Sequence, residues 1–290
     1  MSEIFNNNKP SLIASNIGGA GLGNRMRFTL SALTLAEATG RDFFYVWPKV
    51  ETFTPLLAQL WKFNESLISK EVADKICKSL ARVEQFKELP EPPNEMPVWH
   101  FYSHDTVRLP EGLKGSTWGQ RLRSLEPEES IARRIKSFYS ENLIGKSFVG
   151  VMIRSHKKTN PKTLEASPVE WYVERMSELC SIYPGINFFI SSDTMEAQDR
   201  IMEAFPTACS QIGKGEYGSD AGVISSVVDL YLLASSSYML VPYFSSFPVL
   251  SQELCDKRVV LEHSRSGDSK VIISSVPLAL DPLHPASREW

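Results

Sequence analysis

The sequence predicts an α/β protein built on parallel sheets, and three features predict it. Apolar, strand-like runs alternate with amphipathic helical segments through the second half of the chain. In the first half a glycine-rich loop joins a short apolar run to a helical pattern, as in a βαβ unit. The length of 290 residues suits two domains of about 100–150 residues each. The boundary is placed near Gly145, giving domains 1–145 and 146–290.

Taken in order, residues 11–15 suit a short buried strand, which a loop from Asn16 to Arg25 breaks. Met26, Leu30, Leu33 and Ala36 then recur at helical spacing until Gly40 supplies a C-terminal stop. The aromatic and β-branched run "DFFYVW" reads as the next strand. A helix over 71–87, the proline-rich connector "ELPEPPNEMP" and a helix over 127–141 complete the first half. Beyond Gly145, "FVGVMI" is a strand, and "SPVEWYVERMSELC" is a helix with Ser167 as N-cap, Pro168 at its first position and Glu170 completing a capping box. "INFFIS" is the next strand, and Thr194 caps a helix that runs through Phe205. A helix over 222–234, the strand "SYMLVP", the turn "FSSF" and the strand "RVVLE" follow. That alternation gives a parallel sheet with helices on both faces.

Composition narrows the function classes. With a net charge of −3 and 22% charged residues, nothing marks a surface for nucleic acid or a disordered tail. Cys77, Cys180, Cys209 and Cys255 lie too far apart in sequence for a close-spaced metal or redox motif and read as reduced thiols. The start "MSEIFNNNKP" has no apolar signal region, and no run approaches the roughly 18 apolar residues of a bilayer span. A cytoplasmic protein without an integral membrane segment is expected, and no feature specifies its oligomeric state.

Ligands of such sheets gather at the carboxyl ends of the strands. Three groups stand there: Arg154 after "FVGVMI", Ser192 and Asp193 after "INFFIS", and Ser245, Ser246 and Phe247 after "SYMLVPY". The fork of donors on Arg154 suits a diphosphate, with a structural ion pair as the alternative. Lys157 and Lys158 either extend a phosphate site or form a solvated loop. Asp193 either accepts from ribose hydroxyls or a base amide, or belongs to a helix cap beside Ser192 and Thr194. The "FSSF" hydroxyls and backbone N–H groups suit a phosphate at a helix N-terminus, or a plain N-cap turn. The loop "GGAGLGNR" is neither a P-loop nor the dinucleotide fingerprint. It lets backbone approach an anion, or it is a tight turn; a tight turn leaves the Asn24 and Arg25 pair unexplained. His100, His104 and Asp105 form an acid/base candidate cluster, and no His/Cys/Asp/Glu spacing resembles a metal site.

In their order along the chain, "GGAGLGNRMR", "VGVMIR", "FFISSDT" and "VDLYLLASSSYMLVPYFSSFPVLSQEL" resemble the GDP-fucose-dependent fucosyltransferases. That superfamily includes α1,2-fucosyltransferases, nodulation and core α1,6-fucosyltransferases, and protein O-fucosyltransferases. The motifs fall in the first 40 residues and between about 148 and 255. The resemblance implies a GT-B fold of two Rossmann-like, doubly wound domains facing across a cleft, the first on the acceptor side and the second holding the nucleotide sugar. It implies no metal or other cofactor. By the same implication Arg154 matches the arginine on the donor diphosphate, Asp193 the carboxylate near guanine or ribose, and Ser245, Ser246 and Phe247 the phosphate-side turn. Gly23, Asn24 and Arg25 match the loop that meets the donor from the N-terminal domain.

The expected activity is inverting, metal-independent transfer of L-fucose from GDP-fucose to a hydroxyl of a glycan, natural product or peptide. Arg154 is the expected catalytic cation, and Asp105, His104 and Glu165 are candidates for the base. Family members often read His-x-Arg-x-Gly-Asp, whereas this chain has Met152, Arg154, Ser155 and His156. Alternative readings are a catalytically degenerate nucleotide-sugar-binding protein, a glycosyltransferase for a different nucleotide-deoxysugar, and an NAD-dependent enzyme. Against the last stands the failed dinucleotide fingerprint.

Overall fold

The structure, a computed structural model, describes residues 10–79, 84–86, 96–266, 273 and 280–287. The chain divides into two units, Met1–Leu125 and Glu126–Trp290. Each unit carries a five-stranded sheet whose pairings are all parallel.

In the first unit β1 (Ser11–Asn16) is buried at every position and leads to α1 (Leu22–Ala38) and β2 (Asp42–Val46). A single 3-10 turn at Leu57–Gln59, β3 (Ser66–Leu67), α2 (Lys70–Ser79), β4 (Glu84–Phe86), β5 (Val98–Ser103) and α3 (Trp118–Ser124) follow. The strand order is β3-β2-β1-β5-β4. Ile13, Phe44, Val46 and Val98 on the sheet pack with Ile68 and Ala73. The helix expected over 71–87 is shorter, because Glu84–Phe86 pairs in parallel with β5 instead of continuing α2. The N-terminal residues 1–9 and most of the proline-rich connector, 88–95, lie outside the described residues.

The second unit runs α4 (Glu129–Asn142), β6 (Phe148–Ile153), α5 (Pro161–Ala166), α6 (Val169–Ile182), β7 (Asn187–Ser192) and α7 (Met195–Ala204). Then come β8 (Cys209–Ser210), α8 (Asp220–Ala234), β9 (Tyr238–Leu240), α9 (Phe247–Leu254) and β10 (Val260–Glu262). The order is β10-β9-β6-β7-β8. The division between units falls ahead of α4, not at Gly145, because α4 buries Ile131, Ile135 and Tyr139, one helical turn apart, and packs on α8. Gly150 lets α8 approach β6, since a Cβ there would sit 2.9 Å from Leu233 Cδ2.

One capping assignment changes. Pro168 is the N-cap of α6 and makes no side-chain cap bond, while Ser167 Oγ accepts from the backbone N–H of Tyr243 at 2.9 Å. That hydroxyl therefore ties the α5–α6 corner to the segment after β9. Thr194 caps α7 as expected, accepting from Ala197 N at 3.4 Å. None of the four cysteines is in a disulfide. Among the described residues no helix is long and apolar enough to cross a membrane.

Both strand orders reverse at the first strand of the unit. From β1 the chain goes to β2 and β3 on one side and returns through β4 and β5 on the other; from β6 it goes to β7 and β8, then back to β9 and β10. At such a reversal the connections leave in opposite directions and open a crevice beyond the strand ends. The reversals lie beyond β1 and β5 in one unit, and beyond β6 and β9 in the other.

Candidate functional site

In the second unit the expected groups gather beyond the ends of β6, β7 and β9. Arg154 leaves the end of β6, and its Nε lies 3.0 Å from Asp193 Oδ2, with the two side chains 25% and 10% exposed. Asp193 Oδ1 accepts from the backbone N–H groups of Ser155 at 2.7 Å and His156 at 3.1 Å, and Thr159 Oγ1 lies 3.4 Å from Oδ2. The carboxylate expected to meet ribose or base thus has its acceptor sites taken by the loop after β6. Asp193 fixes that loop and aims Arg154.

Arg154 also donates from Nη2 to Tyr217 Oη at 3.2 Å, and its guanidinium carbon lies 5.7 Å from the centre of the Tyr217 ring. The sequence reading missed Tyr217. It sits on a segment between β8 and α8 where Gly213, Gly215 and Gly218 all have positive φ. A Cβ at Gly215 would come within 2.6 Å of Ala221 Cβ, so this turn needs glycine. Beneath it Lys214 Nζ donates to Asp229 Oδ2 at 2.7 Å and to Ser192 O at 3.1 Å. Asp229 is buried and also accepts from Ser191 Oγ at 2.8 Å and Gln211 Nε2 at 2.6 Å. The only sequence signal for this network was the glycine spacing in "GKGEYG".

On the other side of β6, the segment after β9 carries Ser245, Ser246 and Phe247. Ser246 is the N-cap of α9 but makes no side-chain cap bond, and Pro248 occupies the first turn. Among the described residues neither serine hydroxyl has a partner. Phe244 is exposed at a φ of 61°, a region rare for non-glycine residues, and its carbonyl accepts from Thr163 Oγ1 at 3.3 Å. Phe247 is buried in α9. This turn offers an uncapped helix N-terminus and two hydroxyls, a set of donors suited to phosphate oxygens.

In the first unit α1 begins at Leu22, four residues before the expected start, so Gly23, Asn24 and Arg25 form its first turn instead of a loop. Gly21 as N-cap supplies no side-chain oxygen, and no acidic residue stands in that turn. The N–H groups there keep their donor capacity for an anion. The carboxamide Oδ1 of Asn24 is buried with no partner among the described residues.

Arg25 is an internal residue. It is 0% exposed and donates from Nε to Ala20 O at 2.7 Å, from Nη1 to Pro48 O at 2.7 Å and from Nη2 to Gly18 O at 3.0 Å. Its guanidinium lies over Phe53, 4.4 Å from the ring centre. Desolvation by burial lowers its pKa to about 10, which leaves it charged at neutral pH. The arginine expected to touch the donor is the internal tie that shapes the glycine loop.

The acid/base candidates separate as well. His100 is buried on β5, with Nε2 2.8 Å from Ser15 Oγ and Nδ1 3.1 Å from Cys77 Sγ, and burial lowers its pKa. It is a core residue. His104 and Asp105 stand exposed just beyond β5, at the reversal, with His104 Nε2 3.8 Å from Asp105 Oδ2. Arg27 Nη2 holds Asp105 Oδ1 at 2.7 Å. Glu165 is exposed on α5 in the other unit. Among the described residues no group of three His, Cys, Asp or Glu side chains is arranged to hold a metal ion.

No family model matches the sequence, and no curated protein sequence matches it. Solved structures do match. The fucosyltransferase NodZ from Bradyrhizobium is similar over 84% of this chain and 92% of its own, with a TM-score of 0.59 and 17% identity. NodZ α-1,6-fucosyltransferase co-crystallised with GDP gives the same coverage and TM-score at 18% identity. POFUT1 in complex with GDP-fucose is similar over 89% of this chain and 99% of its own, with a TM-score of 0.54 and 16% identity. At such identities the likeness carries the fold: the chain has the two parallel α/β units of the GT-B class.

Proposed function

We propose that this protein is a GDP-fucose-dependent fucosyltransferase. The observation that carries the reading is the donor set at the reversal of the second sheet. Arg154, locked by Asp193, and the uncapped turn of Ser245, Ser246 and Phe247 stand on the neighbouring strands β6 and β9. A fold shared with proteins solved with GDP and GDP-fucose is what this donor set would serve.

In this reaction the bond from C1 of fucose to the β-phosphate oxygen breaks, the acceptor hydroxyl oxygen bonds C1 from the opposite face, and the acceptor proton leaves with a base. GDP departs with the added negative charge. Arg154 and the N–H groups at the start of α9 meet that charge directly, without a metal, and such preorganised donors are worth most where charge develops. His104, Asp105 and Glu165 are the candidates for the base, and in the first unit Arg27 holds Asp105 at 2.7 Å. Gly23 and Asn24, in the open first turn of α1, are the first unit's candidates for an anionic ligand. The acceptor is a hydroxyl of a glycan, natural product or peptide.

The test is calorimetric titration with GDP, and with UDP, dTDP and NAD as comparators, in buffer containing EDTA, repeated on Arg154→Ala. The reading expects micromolar GDP binding that survives chelation. Arg154→Ala is expected to remove about 3–4 kcal/mol of transition-state stabilisation, some hundred- to thousand-fold in fucose transfer. Preference for another nucleotide would end the fucosyl assignment.

Met152 gives a second reading its footing. It is buried in β6, where family members often carry a histidine, and a thioether cannot carry a proton. A binding protein without turnover would take GDP yet release none from GDP-fucose on addition of any acceptor.

A further inference from the structure

His156 follows Arg154 by two residues and belongs to no role derived above. Its Nδ1 accepts from the backbone N–H of Lys158 at 3.2 Å, which puts the ring proton of the neutral imidazole on Nε2. The ring lies flat on Tyr217, with centres 4.0 Å apart and planes within 10°. The same tyrosine, through its hydroxyl oxygen, accepts a hydrogen bond from Arg154 Nη2 at 3.2 Å. The backbone N–H of His156 is fixed by Asp193 at 3.1 Å. The ring is therefore set in tautomer by Lys158, in plane by Tyr217 and in position by Asp193. Nε2–H, the one donor this arrangement creates, has no partner among the described residues, on a half-exposed side chain.

We infer that His156 is a diphosphate-binding residue: its Nε2–H donates to a phosphate oxygen beside the Arg154 guanidinium, and Tyr217 is the positioning residue that holds both. The inference rests on the reading of the crevice as a diphosphate site. It deepens that reading by giving the loop after β6 a second donor side chain. It also explains why the "GKGEYG" segment is so firmly built, with Gly215 where no side chain fits and Lys214 anchored on Asp229, since any shift of Tyr217 would move both donors.

Two variants isolate the chemistry from the packing. His156→Phe keeps a flat ring on Tyr217 and deletes the donor. Tyr217→Phe keeps the stack and deletes the hydroxyl that holds Arg154. Each is titrated with GDP, guanosine and inorganic pyrophosphate, beside the wild type. A hydrogen bond to a charged oxygen predicts that His156→Phe weakens GDP and pyrophosphate by about tenfold or more. Tyr217→Phe is expected to weaken both by a smaller factor, and guanosine binding stays unchanged in each variant.

As a second readout, 15N-labelled histidine spectra of the wild type are expected to show the Nε2–H tautomer for His156 and a downfield shift of its proton on adding pyrophosphate. Undiminished GDP and pyrophosphate binding by His156→Phe would overturn the inference, as would the Nδ1–H tautomer, or a wild type that binds neither ligand. If GDP is not preferred over UDP, dTDP or NAD but pyrophosphate binds and depends on His156, the inference stands and the fucosyl reading falls.

Discussion

Asp193→Asn separates an organising carboxylate from one that touches the nucleotide. In the wild type Oδ1 holds Ser155 N at 2.7 Å and His156 N at 3.1 Å, while Oδ2 meets Arg154 Nε at 3.0 Å. Asparagine preserves the shape and can keep the two backbone bonds with its oxygen. Its NH2 then faces Arg154 Nε, donor against donor. The loss is one charge-assisted hydrogen bond, about 1.5–3 kcal/mol in general, and the lower half of that range applies because the guanidinium retains some access to water. In a unit of this size each kcal/mol is about 2–4 °C of melting temperature, so a fall of about 3–9 °C is expected. The released arginine must also be re-ordered on binding, at about 0.5–1.5 kcal/mol, or about 2- to 12-fold in the GDP dissociation constant. The assay is differential scanning calorimetry with parallel titrations of GDP and guanosine. Guanosine affinity falling in step with GDP would refute the reasoning and return Asp193 to the ribose or base. An unchanged variant would refute it too.

Three further outcomes follow from buried groups. Arg25→Leu leaves the carbonyls of Gly18, Ala20 and Pro48 without their donor and is expected to cost about 3 kcal/mol in urea unfolding of the first unit. Lys214→Met strands the buried Asp229 carboxylate and should cost about 3–5 kcal/mol, with part recovered in the Lys214→Met, Asp229→Asn double variant. Burial lowers the His100 pKa below its unfolded value of about 6.5. The unfolded chain therefore binds the extra proton first, so this contribution to stability is complete above about pH 6.5 and is lost as pH falls below it, by up to about 1.4 kcal/mol per pH unit. Urea midpoints between pH 5 and pH 8 check this, and a flat profile through that range would count against the buried, neutral imidazole.

How much of this was legible in the sequence depended on how far each signal reached along the chain. The runs "FVGVMI", "INFFIS" and "SYMLVP" mark strands because both faces of a central parallel strand are buried, and their ends located Arg154, Asp193 and the serine turn. The start of α1 was misplaced because glycine is a weak cap signal, and the helix gains its first turn by burying Leu22. Ser167 has good capping chemistry, yet its hydroxyl went to Tyr243 N, a partner far along the chain that no local pattern shows. Tyr217 escaped notice for the same reason. Its importance lies in Arg154 and His156, which are neighbours only after β8 has paired with β7.

Two arginines that look alike in sequence, each closing a strand or glycine segment, differ in how their donors are spent. A guanidinium has five N–H donors. Arg25 commits its Nε and both terminal nitrogens to carbonyls and is sealed from water under Phe53. Arg154 uses Nε and one Nη2 bond, each to a group that fixes its direction, and keeps Nη1 without a partner among the described residues. A residue of the first kind shows its value in unfolding, and one of the second kind shows it in ligand affinity. Arg25→Leu should therefore lower stability far more than Arg154→Ala, while Arg154→Ala removes diphosphate binding from a chain that still folds. The same test sorts His156 from His100: both rings are held at Nδ1, but His100 also gives its second nitrogen to Ser15, whereas His156 leaves its own for a ligand.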